Sequence, residues 1–267
     1  MKFKIGFIGA GVMAGTIIDR MLASKQFSAA KICAFDISTE RRQELAAKKI
    51  YIPKNINELV SSSDIALLAV KPQNYTQVLA DLDTTGINNL ASIMAGVKIN
   101  SLKSKLANKN AGIARIMPNT PAAIGEGISA VCFDGMGKEY KDYLIKILSA
   151  CGEVIKLTEE KFDAFTCICG SGPAYVYMIM DAMIKAGCKG GLTADESKKM
   201  AAATLIGSAK FAALSSTPLD LMVEKVCSKG GTTIEAVQVF KQKGLQEILI
   251  EGIDACRMRS ADLSENS

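Results

Sequence analysis

Gly9-Ala10-Gly11-Val12-Met13-Ala14 is a G-x-G-x-x-A pattern. It follows the apolar run Lys4–Ile8 and opens an amphipathic segment carrying Ile17, Ile18, Met21 and Leu22. In such a strand–turn–helix unit the first glycine permits the tight turn and the second lets backbone approach a pyrophosphate. The small third residue lets the helix sit close on the strand. The helix N-terminus then offers unpaired N–H groups to phosphate oxygens. The chemistry predicted for Gly9, Ala10, Gly11, Val12, Met13 and Ala14 is therefore dinucleotide binding. Asp36 ends the second apolar run, near the position where an acid bonds the ribose 2′-hydroxyl of NAD and repels a 2′-phosphate. Arg41 and Arg42 follow closely and could reach such a phosphate, so the residues leave NAD and NADP both open.

Four other segments carry polar groups at strand or helix ends. Ala69-Val70-Lys71-Pro72 closes another apolar run, on the side where open α/β sheets bind ligands. Pro72 holds Lys71 extended, either along a cofactor or in solvent. Asn55, with Glu58 three residues on, has the spacing of a helix cap and follows the short apolar run Ile50-Tyr51-Ile52. Arg115–Pro121 sets two prolines around Asn119-Thr120, a rigid turn aimed at the same crevice. In Ser228-Lys229-Gly230-Gly231-Thr232-Thr233 the glycines expose backbone N–H groups, and a helix starts at about Thr233. That loop is either a carboxylate-binding nest rimmed by hydroxyls or a helix–helix linker.

The sequence has no histidine, which excludes every mechanism needing imidazole as acid, base or metal ligand. Its eight cysteines include no C-x-x-C pair, the closest spacing being Cys167-x-Cys169, so no metal site is expected. Most lie in apolar stretches, where cysteine behaves as a small hydrophobe. Reduced thiols and no secretory signal point to a cytoplasmic protein. The net charge is +5, with basic residues scattered, so no nucleic-acid partner is expected. No uninterrupted apolar run is long enough for a transmembrane helix, so no membrane association is expected.

The positioning elements are legible by pattern. Seven short apolar runs read as strands: Lys4–Ile8, Lys31–Phe35, Ile65–Val70, Leu90–Met94, Gly112–Met117, Ile128–Cys132 and Val154–Lys156. Polar helical segments such as Thr39–Ala47 and Tyr140–Ser149 lie between them. This alternation predicts an α/β fold, a Rossmann-type doubly wound parallel sheet over residues 1–158. An all-α domain follows over 159–267. Gly172-Pro173 opens one helix and Gly187 closes it, Thr193 and Glu196 form a capping box, and Thr217-Pro218 starts another helix. Ser260–Ser267 reads as frayed. The segment Pro173–Ala186 is apolar over most of its circumference, which predicts a subunit interface.

Taken together, Gly9–Ala14, Ala69–Pro72, Arg115–Pro121, Gly170-Ser171-Gly172-Pro173-Ala174-Tyr175 and Ser228–Thr233 resemble pyrroline-5-carboxylate reductases over nearly the whole chain. The resemblance departs at Lys229, where the family usually has Pro, so the loop is less rigid here. It implies a Rossmann domain with a helical dimerisation domain, and dimers that often build decamers. It also implies hydride transfer from NADPH or NADH to the C=N carbon of pyrroline-5-carboxylate, giving proline. By the resemblance Val70, Lys71 and Ala95 line the cofactor with Asn55 on its ribose; Pro72 and Asn119, from the turns read above, are added to the expected cofactor-binding set. Glu159, Thr232 and Thr233 contact the substrate, with Ser228 in the same loop and the amides of Gly230 and Gly231 on the carboxylate. Thr233 is the catalytic candidate, bonding the ring nitrogen. A protonated cyclic imine is already electrophilic, so positioning without histidine suffices. Two rivals stand beside this reading. A β-hydroxyacid dehydrogenase needs a catalytic Lys in its helical glycine motif, and Gly170–Tyr175 has none. A non-catalytic nicotinamide sensor needs no carboxylate pocket.

Overall fold

The structure is a computed structural model describing residues 2–265. The chain forms two compact units: one takes in everything up to Ser171 together with the chain from Cys256 on, and the other is Gly172–Ala255. The sequence boundary at Thr158/Glu159 thus falls inside the first unit by packing. The reason is local: Phe162 and Phe165, just past that boundary, are buried in the core of the sheet domain.

In the first unit the elements run β1 (Phe3–Ile8), α1 (Val12–Ala23), β2 (Ile32–Phe35), α2 (Thr39–Ala47), α3 (Ile56–Ser62), β3 (Ser63–Leu68), α4 (Tyr75–Ala80), β4 (Asn89–Ser92), α5 (Ile99–Lys105), β5 (Gly112–Met117), β6 (Gly127–Asp134), α6 (Lys138–Ser149), β7 (Gly152–Lys156) and α7 (Phe162–Phe165). The sheet order among these residues is β2-β1-β3-β4-β5-β6-β7. All neighbours are parallel except β5 and β6. All seven predicted strands are present, shifted by up to two residues at their ends. The antiparallel β5–β6 pair departs from the all-parallel expectation because the rigid Pro118–Pro121 turn returns the chain directly beside β5. Ile50–Ile52 is only an isolated bridge, Tyr51 to Cys33. One apolar cluster lies under each face of the sheet. The order reverses beyond β1, so the C-terminal ends of β1 and β3 flank a switch point where ligands bind in such sheets.

The second unit holds α8 (Gly172–Lys189), α9 (Ala194–Leu214), α10 (Leu219–Val226), α11 (Thr232–Gln242) and the start of α12 (Leu245–Glu265). The predicted capping box is formed: Thr193 Oγ1 accepts from the Glu196 N–H, while Glu196 accepts from the Thr193 N–H. Gly187 does not close α8, which runs on to Lys189. Its glycine serves close packing instead, since a Cβ there would sit 2.5 Å from Ser197 Oγ on α9. Ser260–Ser267 is not frayed as far as it is described; residues 266–267 lie outside the described residues. Ser260 and Ser264, one helical turn apart on α12, both donate to the Asp163 carboxylate, at 2.7 and 3.3 Å.

The helical run Glu159–Lys189 is long and apolar enough to cross a membrane, with mean hydropathy 1.3 over its qualifying window. An averaged window tolerates the polar residues that break an uninterrupted run, so length and composition alone pick out this segment. Its first turns, through Phe162, Phe165 and Cys167, are buried in the first unit. Val176, Tyr177 and Met178 on α8 are exposed, Met178 at 72%.

One glycine tests the sheet directly. Gly152 has φ +137°, and a Cβ there would run into the carbonyl of Gly127, its partner in the β6–β7 ladder. Gly152→Ala should destabilise the first unit by about 3 kcal/mol or more, through combined overpacking and strain, read as a lowered thermal or urea midpoint. An unchanged midpoint would show that the two strands can part without cost.

Candidate active site

Gly9 leaves β1 with φ +89°, and a Cβ there would lie 2.9 Å from the Ala69 carbonyl oxygen. A side chain is thereby excluded where the ends of β1 and β3 meet. Gly11 is the N-cap of α1 with no side-chain cap, and a Cβ there would meet nothing within 4 Å. The first turn of α1 therefore faces open space with unpaired N–H groups, as a pyrophosphate site requires. Ala14 is buried under the strand, as close helix packing demands.

A cavity of about 530 Å³ opens at this edge. It gathers Gly9, Gly11, Asp36, Asn55, Val70 and Lys71 from four separate segments. The remaining predicted cofactor residues stand around it in different ways. The Ala10 N–H donates to Asp36 Oδ2 at 2.7 Å, and Val12 is 81% exposed at the helix start. Pro72 begins the turn after Lys71, which is extended with ψ 141°. Ala95 is exposed on the loop after β4, while Met13 is half-buried on α1. Asn119 is 7% exposed, and its carboxamide donates to Cys169 O and accepts from the Ile128 N–H. It pins the β5–β6 turn to the segment entering α8.

The sequence reading missed Phe35, Ile37, Asn74, Val78 and Asp81 in the wall of this cavity. Ile37, 91% exposed in the structure, carried one signal in the sequence, its place directly after Asp36 at the strand end. The α4 residues carried none, because only the fold brings that helix to the cavity.

Asp36 is held as well as exposed to the cavity. Its other carboxylate oxygen accepts from the Ser38 N–H at 2.9 Å. Asn55 caps α3 by accepting from the Glu58 N–H at 2.9 Å. Arg41 donates to Ala10 O at 3.0 Å and pairs with Glu44. Arg42 donates to the carbonyls of Asp36 and Ile37 and to Thr39 Oγ1, over the Phe35 ring. Both guanidinium groups are thus engaged with the protein around the second strand end.

Glu159 is also engaged within the first unit. One of its oxygens accepts from the Ile99 N–H at 2.8 Å and from Arg115 at 2.9 Å. Arg115 is 3% exposed and lies 4.7 Å over the Phe162 ring.

In the second unit, Ser228–Thr233 joins α10 to α11. The Gly231 N–H donates to Ser228 O at 3.0 Å, and Gly230 has φ +71°. A Cβ at Gly231 would push Ser228 Oγ aside, while the left-handed φ of Gly230 is the conformation that requires glycine in this turn. α11 starts at Thr232, with Gly231 as its N-cap and no side-chain cap. Thr233 is therefore inside the first turn and is not the cap. Thr232 is exposed and Thr233 half-buried at the edge of an apolar cleft of about 590 Å³ with Phe211, Met222 and Val226. The first N–H groups of α11 receive no side-chain cap.

Burial pushes the thiols of Cys33, Cys132 and Cys151 up to about 11, which keeps them protonated near neutrality. All eight cysteines are free, and no cluster of three or more metal-ligating side chains occurs among the described residues.

Comparison with known proteins shows similarity along the whole chain. Residues 159–263 match the family model described as pyrroline-5-carboxylate reductase dimerisation, and residues 4–96 match one described as NADP oxidoreductase coenzyme F420-dependent. The chain is 32% identical to the pyrroline-5-carboxylate reductase of Aquifex aeolicus (strain VF5), covering 98% of both. It is 34% identical to that of Synechocystis sp., covering 99% of this chain and all of the relative. The solved structure of Plasmodium falciparum pyrroline carboxylate reductase with NADP bound superposes with a TM-score of 0.90 at 26% identity, covering 98% of each chain.

The engaged arginines and the carboxylate of Asp36 favour a cofactor without a 2′-phosphate. NADH should be the better or equal donor, and Asp36→Ser should shift the kcat/KM ratio toward NADPH by about tenfold, or 1.4 kcal/mol. A wild-type protein that strongly prefers NADPH would mean that Arg41 or Arg42 leaves its present partners to bind the phosphate.

Proposed function

The chain belongs to the pyrroline-5-carboxylate reductase family, and from that premise we propose that it transfers a hydride from NAD(P)H to the C=N carbon of 1-pyrroline-5-carboxylate, giving L-proline. One observation carries the reading: a single chain holds both a dinucleotide cavity at the Gly9 turn and a glycine-built, side-chain-free helix start at Gly231. A sensor without turnover has no use for the second element. A β-hydroxyacid dehydrogenase finds no lysine in Gly170–Tyr175.

When bound, the reduced nicotinamide supplies the hydride. The chain's own residues bind and orient. The first turn of α1 with Gly9, Ala10 and Gly11 holds the pyrophosphate, and Asp36 takes ribose hydroxyls. Val70, Lys71 and Ala95 line the path to the nicotinamide. The first N–H groups of α11, with Ser228, Gly230, Gly231 and Thr232, take the substrate carboxylate. The Thr233 hydroxyl hydrogen-bonds the ring nitrogen. An iminium carbon needs little activation beyond being held at the correct distance and angle.

In this reading residues 1–158 are the cofactor domain and 159–267 the dimerisation and substrate domain, a division supported by the dimerisation match that begins at 159. The protein works as a homodimer through the helical domain, within a larger ring, in the cytoplasm. Support for the dimer is the exposed apolar surface of α8, and support for a reducing compartment is the set of free thiols. The same surface accounts for the membrane-like composition of Glu159–Lys189 without a membrane.

Loss of nicotinamide absorbance with pyrroline-5-carboxylate, compared with hydroxyacids and with no substrate, tests the activity. No oxidation by folded protein that binds either cofactor would end the assignment. Thr233→Val keeps shape and removes the hydroxyl. It should lower kcat/KM about 10- to 100-fold with cofactor affinity unchanged, the size of one hydrogen bond to a charged group. Undiminished turnover would leave the backbone amides as the whole substrate site. For assembly, Met178→Asp should yield a smaller species in light scattering, because a charge buried without a partner costs several kcal/mol. A wild-type monomer at micromolar concentration would refute the dimer.

A further inference from the structure

The loop between β4 and α5, residues 93–98, is held from two directions. Ile93 enters it with its N–H on Leu68 O, beside the end of β3. Met94 and Val97 are buried, while Ala95 is exposed between them. On one side, Gly96 has φ +76°, and a Cβ there would lie 3.3 Å from Leu263 on α12. On the other side, the loop ends at the N-terminus of α5, whose N-cap Lys98 contributes no side-chain bond. Glu159, 60 residues away, supplies it by accepting from the Ile99 N–H. A carboxylate at that point satisfies an orphan donor and suits the positive helix end. Arg115 fixes the carboxylate in turn. Buried and stacked on Phe162, that guanidinium has no solvated alternative.

We propose that Glu159 is a positioning residue for the nicotinamide end of the cofactor: with Arg115 it fixes the loop that presents Ala95 to the bound dinucleotide. The assignment rests on the cofactor reading above. It gives the carboxylate a task different from the substrate contact implied by family resemblance, since its engaged oxygen already serves two donors. The adenosine half of the site, at Asp36 and Asn55, is built from other segments and does not depend on this pair.

That separation defines the test. Glu159→Asp and Glu159→Ala withdraw the cap from Ile99, and Glu159→Gln keeps a carbonyl oxygen within its reach. For each variant the measurements are kcat with pyrroline-5-carboxylate, the Kd of ADP-ribose, which has every part of the dinucleotide except the nicotinamide ring, and the melting temperature. Glu159→Asp and Glu159→Ala should lose about 10- to 100-fold in kcat, the scale of a small misplacement of reacting atoms. Their ADP-ribose Kd should stay within about twofold of wild type, and Glu159→Gln should recover most of the turnover. Weakening of ADP-ribose in parallel with kcat would make Glu159 a general structural residue and overturn the proposal, as would unchanged kcat in Glu159→Asp. If Glu159→Ala does not fold, the Asp and Gln variants decide by the same comparison. A wild-type protein that fails to bind ADP-ribose would instead overturn the cofactor reading itself, and the proposal with it.

Discussion

At Gly9 the backbone of β1 turns in a left-handed conformation against the carbonyl of Ala69, leaving no room for a side chain. This contact decides what lies on either side. It allows α1 to start directly at the end of β1, with Gly11 and the first N–H groups in the open. It brings Ala69–Lys71 beside that helix start. The turn is tied to the second strand by the Gly9 N–H on Phe35 O and the Ala10 N–H on Asp36. Three strand ends are thus fixed around one cavity, and a dinucleotide can lie across them with its phosphates on backbone alone.

The second unit obeys a different constraint. Its helices leave Phe211, Met178 and Tyr177 largely uncovered. Its loop Ser228–Thr233 is shaped by backbone conformation, through the positive φ of Gly230. Lys229 stands where a proline would stiffen that turn, so the turn depends on Gly230.

Much of this was legible in the sequence because its causes are local. The seven strands, the Gly9–Ala14 turn, the Thr193–Glu196 box and the glycine break before α11 all follow from short-range patterns. What was not legible depends on distant partners. Nothing near Glu159 in sequence indicates Ile99 or Arg115, and nothing in Ser260–Ser264 indicates Asp163. Gly187 reads locally as a helix stop, yet its purpose is the approach of Ser197 across the hairpin. The antiparallel β6 likewise arises from a rigid turn whose direction no periodicity reports.

The most direct measurement is to supply NAD(P)H carrying deuterium at the transferred position and to examine the product by NMR. The account predicts proline with one deuterium on the ring carbon beside the nitrogen, remote from the carboxylate, in amounts equal to the nicotinamide oxidised. Oxidation of the nicotinamide without deuterium at that carbon, or with no proline formed, would contradict it.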